Sequence, residues 1–299
     1  MFHIDAAVKK TVYQMFDRTE EMVNEDVHTV KKWMETQPHL PEIMDETMIR
    51  NFLNLNKFSI EKTKVKIDMY YTMRSLIPEL YAISNPKLER MQRALDNIYV
   101  CTHPTPLEGT HRVHFIKWKE SNAFFAEEYT MLFFDVLEVR LHEDFMVNDV
   151  VIVDFENVSL TDMKQLTPSL IYKQVSVYQK VFSLRWKSAY IVNSPPYMTV
   201  LMAFVKTVMK PKMFERMHVV ADSKILSEVF SEEELPKDYG GQGPSLQELT
   251  DMMRHKFAEH QDRFDALDKL TVDESRRPKK LSNDDVLGFH GNFRKLDVD

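Results

Sequence analysis

The amino-acid sequence predicts an α/β fold, with a helical amino-terminal lobe followed by a lobe built on a mostly parallel sheet. Two observations support this prediction. Helix-forming segments dominate up to about residue 88, and short apolar strands then alternate with helical segments. Strands that alternate with helices imply βαβ units and hence parallel strands. We expect a helical lobe at 1–88, an α/β lobe at 89–245, and a carboxyl-terminal helix with a surface-wrapping tail at 246–299.

Three helices are expected in the first lobe, at 28–35, 45–55 and 59–74. In the first two, apolar residues recur at the spacing of one helix face. Ser59 is a good candidate to cap the third helix, because a serine hydroxyl can accept a backbone N–H at a helix start. Pro78 follows that helix and cannot continue it.

The second lobe alternates four expected strands with four expected helices. The strands fall at 112–118, 149–155, 189–193 and 217–221, and the helices at 129–141, 169–181, 197–209 and 224–230. The strand at 149–155 is rich in valine and bounded by polar residues, which is typical of a buried parallel strand. A further helix is expected at 246–264, after a glycine-rich turn.

Composition excludes several classes of protein. A formal net charge of −7 lacks the basic footprint of a general nucleic-acid binder, so we expect no nucleic-acid partner. The 6 glycines form neither a dinucleotide fingerprint nor a phosphate-binding loop. Cys101 is the single cysteine, which excludes an intrachain disulfide and predicts a cytoplasmic protein. Pro195 and Pro196 interrupt the uncharged stretch 188–205, so we expect any membrane contact to be peripheral.

No pattern of catalytic or metal-binding residues stands out in the sequence. The zinc motif HExxH and the nucleophile motif GxSxG are absent. His111 and His114 lie three apart on an expected strand, so we expect their side chains to point to opposite faces. We therefore expect no enzyme activity, no metal and no cofactor.

The helix expected at 197–209 has a wide apolar face. Thr199, Ala203, Lys206 and Lys210 form one narrow polar stripe, and the rest of the circumference is apolar. Such a helix either lies deep in a core, or covers an apolar cavity and touches a bilayer. From 196 to 218 the local net charge is +3, which can attract anionic lipid.

An ordered series of short motifs resembles the CRAL-TRIO family of lipid-binding proteins. The motifs lie at 151–157, 166–168, 191–195, 206–218 and 235–241, and their order and spacing make the resemblance specific. The segment 52–62 resembles the helical lead-in of the family, and the tail at 277–278 and 291–296 resembles arthropod members. The family includes the alpha-tocopherol transfer protein and the cellular retinaldehyde-binding protein. The resemblance therefore implies that 89–245 is a lipid-binding domain.

The resemblance implies a hydrophobic cavity that is floored by the sheet and closed by a mobile gate helix, which 197–209 matches. The period of two along a strand places Val151 with Val153, and Ala189 with Ile191, on common faces. The residues expected in or beside the cavity are Val151, Val153, Phe182, Ala189, Ile191, Met198, Leu201, Met202, Phe204, Val205 and Met209.

The resemblance also implies a site for phosphoinositides or an anionic membrane surface. The residues expected there are Arg185, Lys187, Lys206, Lys210, Lys212 and Arg216. Two departures from the family pattern are visible. Asn54 stands where the tocopherol carrier has a basic residue, which predicts weaker or different head-group binding. Thr207 replaces the usual proline at the end of the gate, and because Pro211 comes later we expect the helix to continue a turn further.

These observations favour a cytoplasmic, peripherally membrane-associated carrier of one small hydrophobic lipid, such as a retinoid, carotenoid or tocopherol. The carrier is expected to be a monomer that exchanges its cargo with membranes, guided by phosphoinositides. An alternative is a protein-interaction or regulatory module whose cavity is vestigial or filled with phospholipid. An enzyme acting on a lipid is a weaker hypothesis, because the sequence shows no nucleophile and base.

Overall fold

A computed structural model describes residues 6–120 and 125–281. The first lobe consists of α1 (Ala6–Gln14), α2 (Glu20–Glu35), α3 (Glu46–Leu55), α4 (Ile60–Leu76) and α5 (Pro78–Tyr81). Helix α6 (Glu89–Asn97) begins the second lobe. The three expected helices are present as α2, α3 and α4, although α2 begins eight residues earlier than predicted. Ser59 occupies the N-cap position of α4 as predicted, but its side chain makes no capping hydrogen bond there.

One five-stranded sheet, in the order β1-β2-β3-β4-β5, forms the centre of the second lobe. Its strands are β1 (Ile98–Thr102), β2 (His111–Trp118), β3 (Asn148–Asp154), β4 (Trp186–Val192) and β5 (Met217–Val219). Strands β2 to β5 run parallel, and only β1 pairs antiparallel with its neighbour. The predicted α/β class with a mostly parallel sheet is therefore confirmed.

Helices cover the sheet and close the chain. They are α7 (Ala126–Glu143), α8 (Leu160–Met163), α9 (Pro168–Lys180), α10 (Met198–Val208), α11 (Pro211–Phe214), α12 (Ile225–Val229), α13 (Leu246–Glu259) and α14 (Gln261–Leu267). The single helix expected at 246–264 is two helices that meet at His260. The tail motif at 291–296 lies outside the described residues.

Helix α10 ends earlier than the sequence predicted. Its last residue is Val208, whereas the sequence predicted that the helix would continue for a full turn beyond Thr207. Lys210 directly precedes Pro211 and has an extended backbone with ψ of 134°. The residue before a proline is disfavoured in the helical region because the proline ring clashes with its backbone. Pro211 therefore prevents α10 from continuing, and it occupies the first turn of α11.

Buried ion pairs connect α7 to the sheet. Asp144 accepts hydrogen bonds from Arg112 Nη2 at 2.7 Å and from Arg140 Nε at 2.7 Å, and Arg140 also pairs with Asp149. Burial alone would raise the pKa of Asp144, but the two guanidinium groups hold it below its usual range. We call Arg112, Arg140, Asp144, Asp149 and His114 the buried ion-pair network.

Candidate functional site

An apolar cavity of about 110 Å³ lies between the sheet and three helices, α7, α9 and α10. The parallel strands place Val151 beside Ala189 and Val153 beside Ile191 in register, so these four side chains share the face that floors the cavity. The wall also includes Ile116, Tyr129, Phe133, Phe155, Leu166, Ile171, Gln174, Val175, Tyr178, Trp186, Leu201, Met202, Val205, Met209 and Met217.

The structure brings together eight of the eleven residues that the sequence placed in or beside the cavity. These are Val151, Val153, Ala189, Ile191, Leu201, Met202, Val205 and Met209. Phe182 instead lines a separate space of about 20 Å³ between the lobes, next to Asn54. Met198 is buried one turn before the part of α10 that lines the cavity. Phe204 is half-buried and packs against the hydrophobic core, but it does not line the cavity.

Most of the additional wall residues belong to α7 and α9. In α9 they are Ile171, Gln174, Val175 and Tyr178. Their spacing of three, four and seven residues marks one helix face, so the sequence carried a signal for this wall. In α7 the signal is absent, because buried residues occur around most of its circumference.

Three polar side chains within the cavity wall hydrogen bond to one another. Gln174 Nε2 donates to the phenol oxygens of Tyr129 and Tyr178, each at 2.8 Å. The two phenols also hydrogen bond to each other. Burial raises the pKa of both Tyr129 and Tyr178, so both remain neutral at physiological pH. This trio thus presents a largely satisfied polar patch to an otherwise apolar cavity.

An open depression of about 410 Å³ adjoins the cavity and contains cations from both lobes. We call it the basic groove; its cations are Lys57, Lys62, Lys66, Arg185, Lys210, Lys212 and Arg216. Within residues 6–120 and 125–281, none of these cations lies within 4.0 Å of a carboxylate oxygen. Unpaired cations of one sign raise the local concentration of anionic ligands.

Two of the six residues predicted for anion binding lie away from the groove. Lys187 pairs with Glu108, and Lys206 Nζ lies 5.9 Å from the centre of the Phe214 ring. Asn54 is buried and its Nδ2 donates to the Met146 carbonyl at 3.0 Å, so its side chain supplies nothing to the groove. The first lobe contributes Lys57, Lys62 and Lys66 instead, which sequence reasoning did not select.

The electrostatics of the groove favour an anion. Burial, reinforced by the charge of Lys210, lowers the pKa of Lys66 to about 8. Burial likewise lowers the pKa of Arg185 to about 10. Arg185 Nη2 donates to the Asn54 carbonyl at 3.1 Å, which joins the second lobe to the first at the groove. A bound anion would offset the burial cost of both cations and the repulsion between Lys66 and Lys210.

The outer face of α10 is open to solvent. Thr199, Ala203, Lys206 and Lys210 are all exposed, as their polar stripe predicted, and the apolar Val200 is 75% exposed. Only Met198 and Val205 are buried within the helix. Helix α10 is therefore a cover over the cavity and not a deeply buried core helix. No helix in the described part of the chain is long and apolar enough to span a bilayer.

Comparison with known proteins finds two domain matches within this chain. Residues 19–91 match the model of a Pinta-like, UBA domain, and residues 111–241 match the CRAL/TRIO domain. The human alpha-tocopherol transfer protein-like protein is 26% identical over 71% of this chain. Clavesin-1 from Rattus norvegicus is 23% identical over 75% of this chain.

The matches cover 63% and 65% of those two relatives, so the chain spans less than two thirds of their length. A crystal structure of Sfh5 superposes with a TM-score of 0.47 and 11% identity, over 87% of this chain and 100% of that chain. The domain match at 111–241 contains strands β2 to β5, the cavity floor and α10. The segment 111–241 is accordingly similar to the CRAL/TRIO domain.

Proposed function

We propose that this chain is a carrier that holds one small hydrophobic lipid in the cavity beneath α10 and exchanges it with membranes. The single observation that carries the proposal is an apolar cavity closed by a helix whose own outer face exposes Val200. An apolar ligand gains about 25 cal/mol for each Å² that it removes from water, and no covalent step is required. A retinoid, a carotenoid or a tocopherol has the required chemistry.

Cargo entry requires α10 to move. The cavity of about 110 Å³ is smaller than the ~150 Å³ cavity that admits benzene, so a lipid cannot be accommodated in the closed arrangement. At the start of α10, Tyr197 caps no backbone N–H, but its phenol donates to the Val158 carbonyl at 2.9 Å. At the other end, the break before Pro211 separates α10 from α11. Displacement of this helix as a unit opens the cavity on the side that faces solvent or membrane.

The basic groove would guide that exchange to an anionic membrane. Lys210 lies two residues beyond the last residue of α10 and also lines the groove. A phosphoinositide head group, with several phosphate charges, suits a depression lined by seven cations from two lobes. Binding there would hold the protein at a membrane with α10 next to the lipid surface.

The decisive experiment is native mass spectrometry of the purified full chain, followed by solvent extraction of the bound material. We expect one apolar molecule per chain, recovered unchanged, and transfer of that molecule to acceptor vesicles. An empty chain that also takes up no fluorescent retinoid, sterol or phospholipid would overturn the carrier proposal and favour an interaction module. Chemical conversion of the bound molecule would contradict a purely carrying role.

A further inference from the structure

Among the described residues, the cavity wall contains one buried polar side-chain group without a hydrogen-bond partner. Trp186 is 6% exposed, and its indole Nε1 has no hydrogen-bond acceptor among the residues that the structure describes. Buried tryptophan N–H groups usually find an acceptor, because an unsatisfied buried donor is costly. By contrast, Gln174 Nε2 in the same wall donates to both Tyr129 and Tyr178. An unsatisfied donor in a wall built for an apolar guest points to an acceptor on that guest.

The position of Trp186 indicates which end of the cargo carries the hydrogen-bond acceptor. Trp186 is the first residue of β4, and it lines both the apolar cavity and the basic groove. Its carbonyl oxygen accepts a hydrogen bond from Arg216, a groove cation. The indole therefore lies where the apolar space meets the charged one. A guest that reaches Trp186 has its polar end near the groove and its hydrocarbon beneath α10.

We propose that Trp186 Nε1–H donates a hydrogen bond to an oxygen of the cargo. The cargo class is then an apolar molecule with a carbonyl, ester or hydroxyl oxygen at one end, and not a pure hydrocarbon. This inference rests on the proposed function, because it assumes that the cavity holds a guest. A site that hydrogen bonds one group of its ligand discriminates against the analogue that lacks the group, since its own buried donor is then left unpaired.

The first test compares two radiolabelled guests in vesicle-to-protein partition assays with the full chain. Methyl palmitate offers an ester oxygen but no donor, and nonadecane has the same number of non-hydrogen atoms and no oxygen. Trp186→Phe keeps an aromatic ring and removes the N–H. Trp33→Phe, in helix α2 of the other lobe, is the matched control. We expect Trp186→Phe to weaken methyl palmitate binding about fivefold and to leave nonadecane binding unchanged.

The outcomes separate this inference from the carrier function. Equal losses for both guests would show that the indole acts through packing alone, and no loss for either would show that the N–H is not used; each result overturns the inference. If the wild-type chain bound neither of these guests nor any other lipid probe, the carrier function itself would fall. Binding of both guests with no preference between them would be consistent with the carrier function and would refute the hydrogen bond from Trp186.

A second measurement needs no variant of Trp186 in the binding step and so is independent of folding defects. The indole N–H resonances of ¹⁵N-labelled wild-type protein are recorded by NMR and assigned with Trp186→Phe and Trp33→Phe. On adding methyl palmitate, we expect the Trp186 indole proton to move downfield, as a new hydrogen bond requires. Nonadecane should not cause that shift. Identical spectra with the two guests would refute the hydrogen bond.

Discussion

The buried ion-pair network and the basic groove differ in whether their cations are paired with carboxylates. In the network, Arg112 and Arg140 are both matched by Asp144, whose side chain is 1% exposed. In the groove, Lys57, Lys62, Lys66 and their neighbours lie together with no carboxylate within 4.0 Å in the described part of the chain. Charges in the first region complete each other inside the protein. The cations of the basic groove have no such carboxylate partner among the described residues, so a bound anion would supply it.

This difference predicts opposite consequences for neutralising substitutions. Removing one partner from a buried ion pair leaves the other charge buried and uncompensated, which destabilises the fold. Removing a cation from a cluster of like charges relieves repulsion, so the fold should be unchanged or more stable while anion binding weakens. The following experiments test that contrast, from the largest expected effect to the smallest.

Asp144→Asn should lower the free energy of unfolding by about 3–5 kcal/mol, because Arg112 and Arg140 would lose their shared carboxylate. Urea denaturation measures the loss. Glu61→Gln is the matched control: Glu61 is 82% exposed in its pair with Lys64, and such surface pairs contribute about 0–1 kcal/mol. Equal effects of the two substitutions would show that the network is no more important than a surface pair.

Lys210→Gln combined with Lys212→Gln should weaken binding to phosphoinositide-containing vesicles about 30-fold, at about 1 kcal/mol per charge. Both side chains are exposed, so the free energy of unfolding should not fall. Lys224→Gln with Lys269→Gln makes the same change of net charge on exposed residues outside the groove and should leave vesicle binding intact. Equal weakening by both pairs would mean that net charge, and not the groove, attracts the membrane.

Lys66 should make anion binding at the basic groove depend on pH. Its pKa is lowered to about 8, so it loses its proton as the pH rises from 7 to 9, and binding to phosphatidylglycerol vesicles should weaken about fivefold over that range. Over the same rise the fold should become slightly more stable, because the unfolded chain keeps its proton to higher pH than the folded one. Lys66→Arg stays charged and should make binding nearly flat with pH. A wild-type profile that is already flat would exclude this role of Lys66.

Val200→Asn should reduce membrane binding two- to threefold, because Val200 is 75% exposed on α10 and its partial burial in lipid yields less than about 1.5 kcal/mol. Affinity for cargo should not change, since the side chain points away from the cavity. Ile43→Asn, at another exposed apolar residue, is the control in a vesicle flotation assay. A loss of cargo affinity in Val200→Asn would mean that α10 does not present this face outward.

The sequence predicted the helices and the parallel strands well where apolar periodicity is strong. Strands β2 and β3 were placed within one residue at each end, because runs such as Asn148–Asp154 are apolar between polar limits. Strand β1 was missed: its five residues, Ile98–Thr102, lie at the sheet edge and end in cysteine and threonine. A short edge strand depends on pairing with its neighbour more than on its own pattern.

The candidate site could be predicted only where one element defines it. The face of α10 that includes Leu201 and Val205 follows from helical spacing, and the floor follows from the strand period. Which lysines of the first lobe meet Arg185 and Lys212 depends on how α4 packs against the second lobe. Spacing along one chain carries no information on that packing, so Lys62 and Lys66 could be found only in the folded structure.

The corner between α10 and α11 has a mechanical consequence. Pro211 fixes its own φ, so a swing of α10 must be absorbed by rotation at Met209 and Lys210. Lys210 belongs to the groove as well as to this pivot. In the proposed opening, rotation at Lys210 would shift its positive charge, so the electric potential over the groove would change with the angle of the helix. By the same coupling, a membrane bound at the groove would exert a torque on the helix.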